Sequence, residues 1–191
     1  MNENIFSTSD LIKQIREYQK INKELLNSNH FVFDCPLSRN TKESPEIIWM
    51  GINPGDDSMA KKFSIEERIL NPEETRDYNF QLNKRTPESK KMMNNLQRVL
   101  GVSKFFKTSL TEMFFWASTD IGEGFKKRYG YPFHNNRHMS FCLKINKELF
   151  KRANPKYIIG PHYAKKTKNK INIIKNYFNL ELIKEYRNKI D

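Results

Sequence analysis

Apolar positions along this chain change spacing several times, and the changes outline its elements. Leu11, Ile12, Ile15, Tyr18, Ile21, Leu25 and Leu26 recur at helical intervals behind the capping residues Ser7, Thr8, Ser9 and Asp10, which predicts an N-terminal helix over about 9–27. His30-Phe31-Val32-Phe33 is a short extended piece. Glu46-Ile47-Ile48-Trp49-Met50, bounded by Pro45 and a Gly/Pro cluster, reads as a buried strand. A helix is predicted over 58–70, with Ser58 as its cap and Met59, Phe63, Ile65 and Ile69 available for burial. Residues 71–86 have no period and read as a long loop. Pro87 opens a helix that runs through Leu100 and stops at Gly101. A second strand falls within 105–116, residues 117–138 are irregular, and Ser140 caps a helix that buries Phe141, Ile145, Leu149 and Phe150. A third strand over 156–160, a helix over 161–178 and a fourth strand over 180–186 complete the order. Strands alternating with helices predict an α/β fold: a central, mainly parallel four-stranded sheet in a three-layer α/β/α sandwich.

Composition adds a partner class and removes several alternatives. The 191 residues contain no internal repeat or low-complexity linker, so a single domain over 1–191 is expected. Lys and Arg number 34 against 22 Asp and Glu, a net charge of +12, which favours nucleic acid or an anionic surface as partner. No apolar run approaches the ~20 residues of a membrane span, so no membrane association is expected. Residues 1–10 lack the basic-then-apolar order of a signal peptide. Cys35 and Cys142 lie far apart and read as reduced thiols, too few for an iron–sulfur cluster. The expected place is the cytoplasm of a bacterial or phage-infected cell, or the nucleus of a eukaryotic one.

Candidate chemistry centres on the end of the strand at 46–50. It runs straight into Gly51-Ile52-Asn53-Pro54-Gly55-Asp56-Asp57, which sets the amide of Asn53 between two glycines just past the strand's carboxyl end. Ligand sites of open α/β sheets lie at that end. The pattern is neither the dinucleotide fingerprint nor a P-loop, since the glycine spacing differs and no Gly-Lys-Ser/Thr follows. Asp56 and Asp57 could serve a cation or act as a base, but a consecutive pair there is read first as a helix cap, with Asp56 a minor catalytic candidate. His134, His138 and Cys142 have the spacing of zinc ligands on one helix face. Pro132 and the Asn135-Asn136 pair oppose a helix before Ser140 and no fourth ligand is evident, so no metal is expected. His162 follows the third strand, on the same sheet edge as Asn53. The stretch 117–138 mixes aromatics with Lys126, Lys127, Arg128 and Arg137, which suits DNA tracking. It equally suits a surface loop pinned to the core by Phe125, Tyr129, Tyr131 and Phe133.

Gly51-Ile52-Asn53-Pro54-Gly55 resembles the first active-site motif of the uracil-DNA glycosylase superfamily, and is nearest to its mismatch-specific uracil/thymine branch, which carries the same five residues. Asn154-Pro155-Lys156-Tyr157-Ile158-Ile159-Gly160-Pro161-His162-Tyr163-Ala164 is similar to a later segment of that superfamily. The resemblance spans roughly residues 45–186 and is dense at these two places. It implies a monomeric, cofactor-free glycosylase that flips a uracil-like, mismatched or modified base out of single- or double-stranded DNA and hydrolyses its N-glycosidic bond. Asn53 would hold the attacking water, while Gly51, Ile52, Pro54 and Gly55 line the base pocket and Phe63 stacks on the base. Where the family carries a base-reading asparagine, this chain offers the hydroxyls Thr108, Ser109 and Thr111, and Ser109 is taken as the pocket residue. Lys126, Lys127, Arg128, Arg137, His162 and Lys165 would contact DNA, with Lys166, Lys168 and Lys170 adding charge. The superfamily's second motif, His or Asn before Pro-Ser, does not follow 180–186. The sequence is then shortened, or the role is filled elsewhere, or the chain no longer excises bases. The implied role is repair, phage defence or a phage's own use. The alternative is a weak or inactive member that binds DNA or a partner, and a more distant one is an unrelated doubly wound enzyme for a nucleotide-like ligand.

Overall fold

Ser7 and Asp10 start the first helix by satisfying one another. The Asp10 N–H donates to Ser7 Oγ (3.1 Å) and the Ser7 N–H to the Asp10 carboxylate (3.2 Å), a capping box in front of α1, Thr8–Ile21. This is a computed structural model, and it describes residues 7–28, 31, 45–55, 64–70, 94–95, 97–98, 100–101, 108–133 and 137–159. The predicted loop over 71–86, the helix over 161–178 and the strand over 180–186 lie outside them.

The N-terminal helix is not continuous to residue 27. Asn22 leaves helical backbone at φ −110°, ψ 78°, and both its N–H and its side-chain Nδ2 donate to the Tyr18 carbonyl, at 3.1 and 2.8 Å. A 3-10 turn, Lys23–Asn27, follows. The break carries Leu25 into the core at 1% exposure but leaves Ile21 80% and Leu26 52% exposed, so two of the residues expected inside are outside.

Three parallel strands form the sheet: β1, Ile47–Gly51; β2, Thr108–Glu112; and β3, Tyr157–Ile159, in the order β2-β1-β3. Ile47 and Ile48 point to opposite faces of β1 and both are buried, so the strand is covered on both sides. The chain leaves β2 through Met113, Phe114, Phe115, Trp116 and Ala117, all fully buried. Phe31 pairs with Trp116 in an antiparallel bridge, in keeping with the extended piece read there.

Four helical features complete the described fold. Helix α2, Ile65–Leu70, begins behind Ser64, not Ser58. Ser64 and Glu67 form a reciprocal capping pair, with Glu67 N–H to Ser64 Oγ at 3.1 Å and Ser64 N–H to the Glu67 carboxylate at 2.6 Å. An Arg16–Glu66 ion pair ties it to α1. Residues 94, 95, 97, 98 and 100 are helical, and Gly101 at φ +76° donates its N–H to the Gln97 carbonyl, the expected glycine stop. The stretch read as irregular contains α3, Glu123–Tyr129. Its glycines and lysines mask a two-residue apolar stripe: Phe125 and Tyr129, one turn apart, are buried with their rings 4.8 and 4.9 Å from that of Phe114. Helix α4, Arg137–Ala153, starts before Ser140 and buries Met139, Cys142, Leu143, Ile145, Leu149 and Phe150. It ends at Asn154, in left-handed backbone at φ 44° with its N–H on the Phe150 carbonyl. Among the described residues no helix is long and apolar enough to cross a membrane.

Candidate functional site

Beyond β1 the Gly-Ile-Asn-Pro-Gly segment is clamped along its length by the segment that leaves β2. The N–H groups of Met113, Phe114 and Ser118 donate to the carbonyls of Gly51, Ile52 and Pro54 at 3.0, 3.0 and 3.2 Å. A parallel bridge joins Gly55 to Ser118. Pro54 is buried, Gly51, Ile52 and Asn53 are half-buried, and Gly55 is exposed with open space where a side chain would stand. The motif is therefore a rigid ledge at the carboxyl edge of the sheet.

The Asn53 side chain is oriented by bonds that leave one choice of rotamer flip. Its Nδ2 donates to the Pro54 carbonyl (3.0 Å) and to Ser118 Oγ (2.8 Å). A carbonyl only accepts, so the amide nitrogen must be the atom on that side. Ser118 passes its own proton on to the Asp120 carbonyl at 2.6 Å. The Asp120 carboxylate in turn accepts the N–H groups of Gly122 (2.5 Å) and Gly124 (3.2 Å) at the start of α3. With both amide protons spent, what Asn53 offers a ligand is Oδ1, a hydrogen-bond acceptor that meets no donor among the described residues. Such an oxygen can orient a water by its O–H but has too little proton affinity to deprotonate it.

Glu112 is a site residue that the sequence reading missed. It ends β2 and pairs in register with Gly51. A Cβ on Gly51 would lie 2.1 Å from Glu112 Oε2 and 2.7 Å from its Cδ and Oε1, so the carboxylate rests directly on the glycine. The space beside Gly51, a residue assigned to the lining of a base pocket, is thus taken by this carboxylate. Asn146 of α4 holds the Glu112 carbonyl through Nδ2 at 2.9 Å and accepts the Thr111 hydroxyl at 2.8 Å. Thr111 is buried in that contact, facing α4. Thr108 and Ser109 pair with Ile47 and Ile48 at the amino-terminal end of the strands, away from the sheet's carboxyl edge. Ser118 was also missed. Both omissions share a cause: the signal is strand register across some sixty residues of sequence, which no local motif carries.

The predicted cations divide into two kinds. Lys126 and Lys127 are exposed on α3. Arg128 is half-buried and donates Nη1 to the Ala117 carbonyl at 2.9 Å, an oxygen that also accepts the Tyr129 hydroxyl. Arg137 is exposed and ion-paired with Glu24. Of the four aromatics expected to pin this region, Phe125, Tyr129 and Phe133 are buried and Tyr131 is 48% exposed.

His138 is a structural residue of α4. Its buried ring takes Tyr18 Oη at 2.9 Å on Nδ1 and the Glu24 carboxylate at 3.0 Å on Nε2. The carboxylate needs a proton from Nε2, which makes Nδ1 the acceptor of the tyrosine hydroxyl. Burial pulls the His138 pKa below the ordinary histidine value, with Glu24 opposing. Burial also acts to raise the Glu24 carboxyl, but Arg137 and His138 outweigh it and hold Glu24 below the usual range. Burial pushes the Cys142 thiol far above its ordinary value. Neither His138 nor Cys142 is presented as a metal ligand. Among the described residues no three His, Cys, Asp or Glu side chains are gathered for a metal ion.

The second resembling segment enters the fold at the opposite edge. Asn154 caps α4, and the N–H groups of Lys156 and Tyr157 donate to the Glu46 carbonyl at 3.0 and 3.1 Å, before β1 begins. Phe63, His162 and Lys165 lie outside the described residues, as do Asp56, Asp57 and His134. No protein-family model, curated protein or solved structure matches this chain.

Proposed function

We propose that this chain is a DNA glycosylase of the uracil-DNA glycosylase type, which hydrolyses the N-glycosidic bond of a flipped uracil-like, mismatched or modified base. The observation that carries the reading is the orientation of Asn53, whose amide protons are spent on Pro54 and Ser118 and whose acceptor oxygen is offered at the sheet's carboxyl edge. Water accepted there has a lone pair to direct at the sugar C1′. As the C1′–N bond breaks, the base leaves with the bonding pair, the water oxygen bonds C1′, and the surplus proton passes to solvent. Because an amide cannot act as the base, the rate depends on positioning and on the quality of the leaving group. No cofactor or metal is required for this chemistry.

The finer architecture belongs to the same proposal: a fourth strand at 180–186 joining β2-β1-β3 in a three-layer α/β/α sandwich, acting as a monomer. DNA is the partner, drawn by the net charge of +12 and met by Lys126 and Lys127, with Phe63, His162 and Lys165 in their sequence-assigned roles. Repair in the cytoplasm of a bacterial or phage-infected cell, or in a nucleus, is the proposed setting.

A second reading is favoured by the nature of the Asn53 side chain, an amide that cannot deprotonate water: a weak or inactive member that uses the ledge to bind DNA or a partner. Incubation with duplexes carrying uracil, mismatched thymine, hypoxanthine or a modified cytosine, followed by alkaline cleavage, separates the two. Abasic sites from at least one substrate support the enzyme. Salt-sensitive binding without abasic sites supports the binding module.

A further inference from the structure

We propose that Arg128 is a positioning residue of this site: its guanidinium orients Asn53 through a single peptide group and does not contact DNA. The catalytic consequence rests on the glycosylase reading, whereas the orientation itself rests on geometry alone. Arg128 leaves the last turn of α3 beside Tyr129, and both side chains converge on one oxygen, the Ala117 carbonyl, with Arg128 Nη1 at 2.9 Å. Ala117 is fully buried, and its N–H donates to Ser28 Oγ at 2.7 Å. The other end of the peptide that Arg128 holds is the Ser118 N–H, which donates to the Pro54 carbonyl at 3.2 Å. That same Pro54 carbonyl accepts Asn53 Nδ2 at 3.0 Å, and Ser118 Oγ accepts the other Asn53 amide proton at 2.8 Å. Both acceptors of the Asn53 amide are therefore tied to one peptide plane, and the guanidinium is bonded to its far side.

A cation contributes here what a neutral donor does not. A hydrogen bond from an ionised donor is the stronger kind, and it draws electron density toward the Ala117 oxygen. The Ser118 N–H at the opposite end of the peptide becomes a better donor, so the bond that fixes the Pro54 carbonyl tightens with it. Tyr129 Oη also bonds the Ala117 oxygen, so loss of the guanidinium does not leave that buried carbonyl unpaired. Arg128 is half-buried, whereas Lys126 and Lys127 on the same helix are exposed. A phosphate contact and the Ala117 bond would compete for Arg128, and the two exposed lysines meet phosphate without such a conflict.

The test uses the full chain and proton–nitrogen correlation spectra, with the Asn53 side-chain amide assigned by its loss in Asn53→Ala. The Asn53 amide signals and the Ser118 N–H should move upfield in Arg128→Met, which keeps the apolar stem and loses the charge and the donor. Arg128→Lys, which restores a cation with an N–H to give, should return them most of the way. On any duplex that the wild type cleaves, Arg128→Met should slow single-turnover excision about fivefold, with DNA affinity and salt slope unchanged. A phosphate contact predicts the reverse: weaker binding, a salt slope smaller by about 1 and an unchanged rate at saturation. That reverse pattern, or amide signals that stay in place in Arg128→Met, would overturn the proposal. A measurement on the wild type does not depend on any variant folding: the Arg128 guanidinium signals should stay in place when DNA is added, and a shift toward those of a phosphate-bound arginine counts against the proposal. Should the wild type cleave no duplex, the glycosylase reading falls and the amide signals decide the positioning by themselves.

Discussion

At the scale of single residues, the proposed chemistry rests on one amide and the hydroxyl that holds it. Asn53 could be picked out from the chain because glycine and proline around a lone polar side chain at a strand end leave little else for it to do. Which way its amide faces could not be read there, since the partner that decides it, Ser118, is sixty-five residues away. The same is true of Glu112, whose place over Gly51 depends on a register that only the folded strands reveal. Ser118→Ala removes the acceptor for one Asn53 proton and lets the amide turn. A single neutral hydrogen bond of this kind is worth about 1 kcal/mol, so single-turnover excision should slow by roughly five- to tenfold. DNA affinity should be little changed, and Ser118→Thr, which restores the hydroxyl, should recover most of the rate. Equal losses in the alanine and threonine variants would mean that Ser118 serves packing alone.

At the scale of elements, strands were more legible than helix limits. Strands β1 and β3 fall where apolar runs bounded by Gly and Pro placed them, and β2 falls within the aromatic- and Thr-rich stretch 105–116. The N-terminal helix was read too long, because periodicity continues past Asn22 while the asparagine's own bonds to Tyr18 end the helix. Helix α3 was read as a loop, because two buried aromatics among glycines and lysines make too short a stripe to register as a period. The contact between α1, the 3-10 turn and α4 carries a pH dependence through His138. Its folded pKa is depressed below the ordinary value of 6.5, so the unfolded chain takes up the proton first as pH falls. Its contribution is complete above that value and is lost as pH drops below it toward the folded value. Urea unfolding should show a lower midpoint at about pH 5.5 than at about pH 7.5, and His138→Gln should flatten that difference. A midpoint that is unchanged, or higher at about pH 5.5 than at about pH 7.5, would show that burial does not depress the His138 imidazole.

At the scale of the whole molecule, charge is the property that composition shows most plainly and that the described residues localise least. The net charge is +12, yet Arg137 is paired with Glu24 and Arg128 with a backbone carbonyl, so the exposed cations of α3 are Lys126 and Lys127. Replacing both by Ala should weaken binding to all DNA sequences alike and reduce the salt slope by about 2, as for two lost phosphate contacts. An unchanged slope would place the DNA on another face. The central claim is more specific than DNA binding: Asn53 holds the water that cleaves a glycosidic bond. Its most direct test is the yield of alkali-labile sites from duplexes carrying uracil, mismatched thymine, hypoxanthine or a modified cytosine, compared between the wild type and Asn53→Ala. The account predicts abasic sites from at least one of these with the wild type and none with the variant. Abasic sites formed equally by both proteins would contradict it.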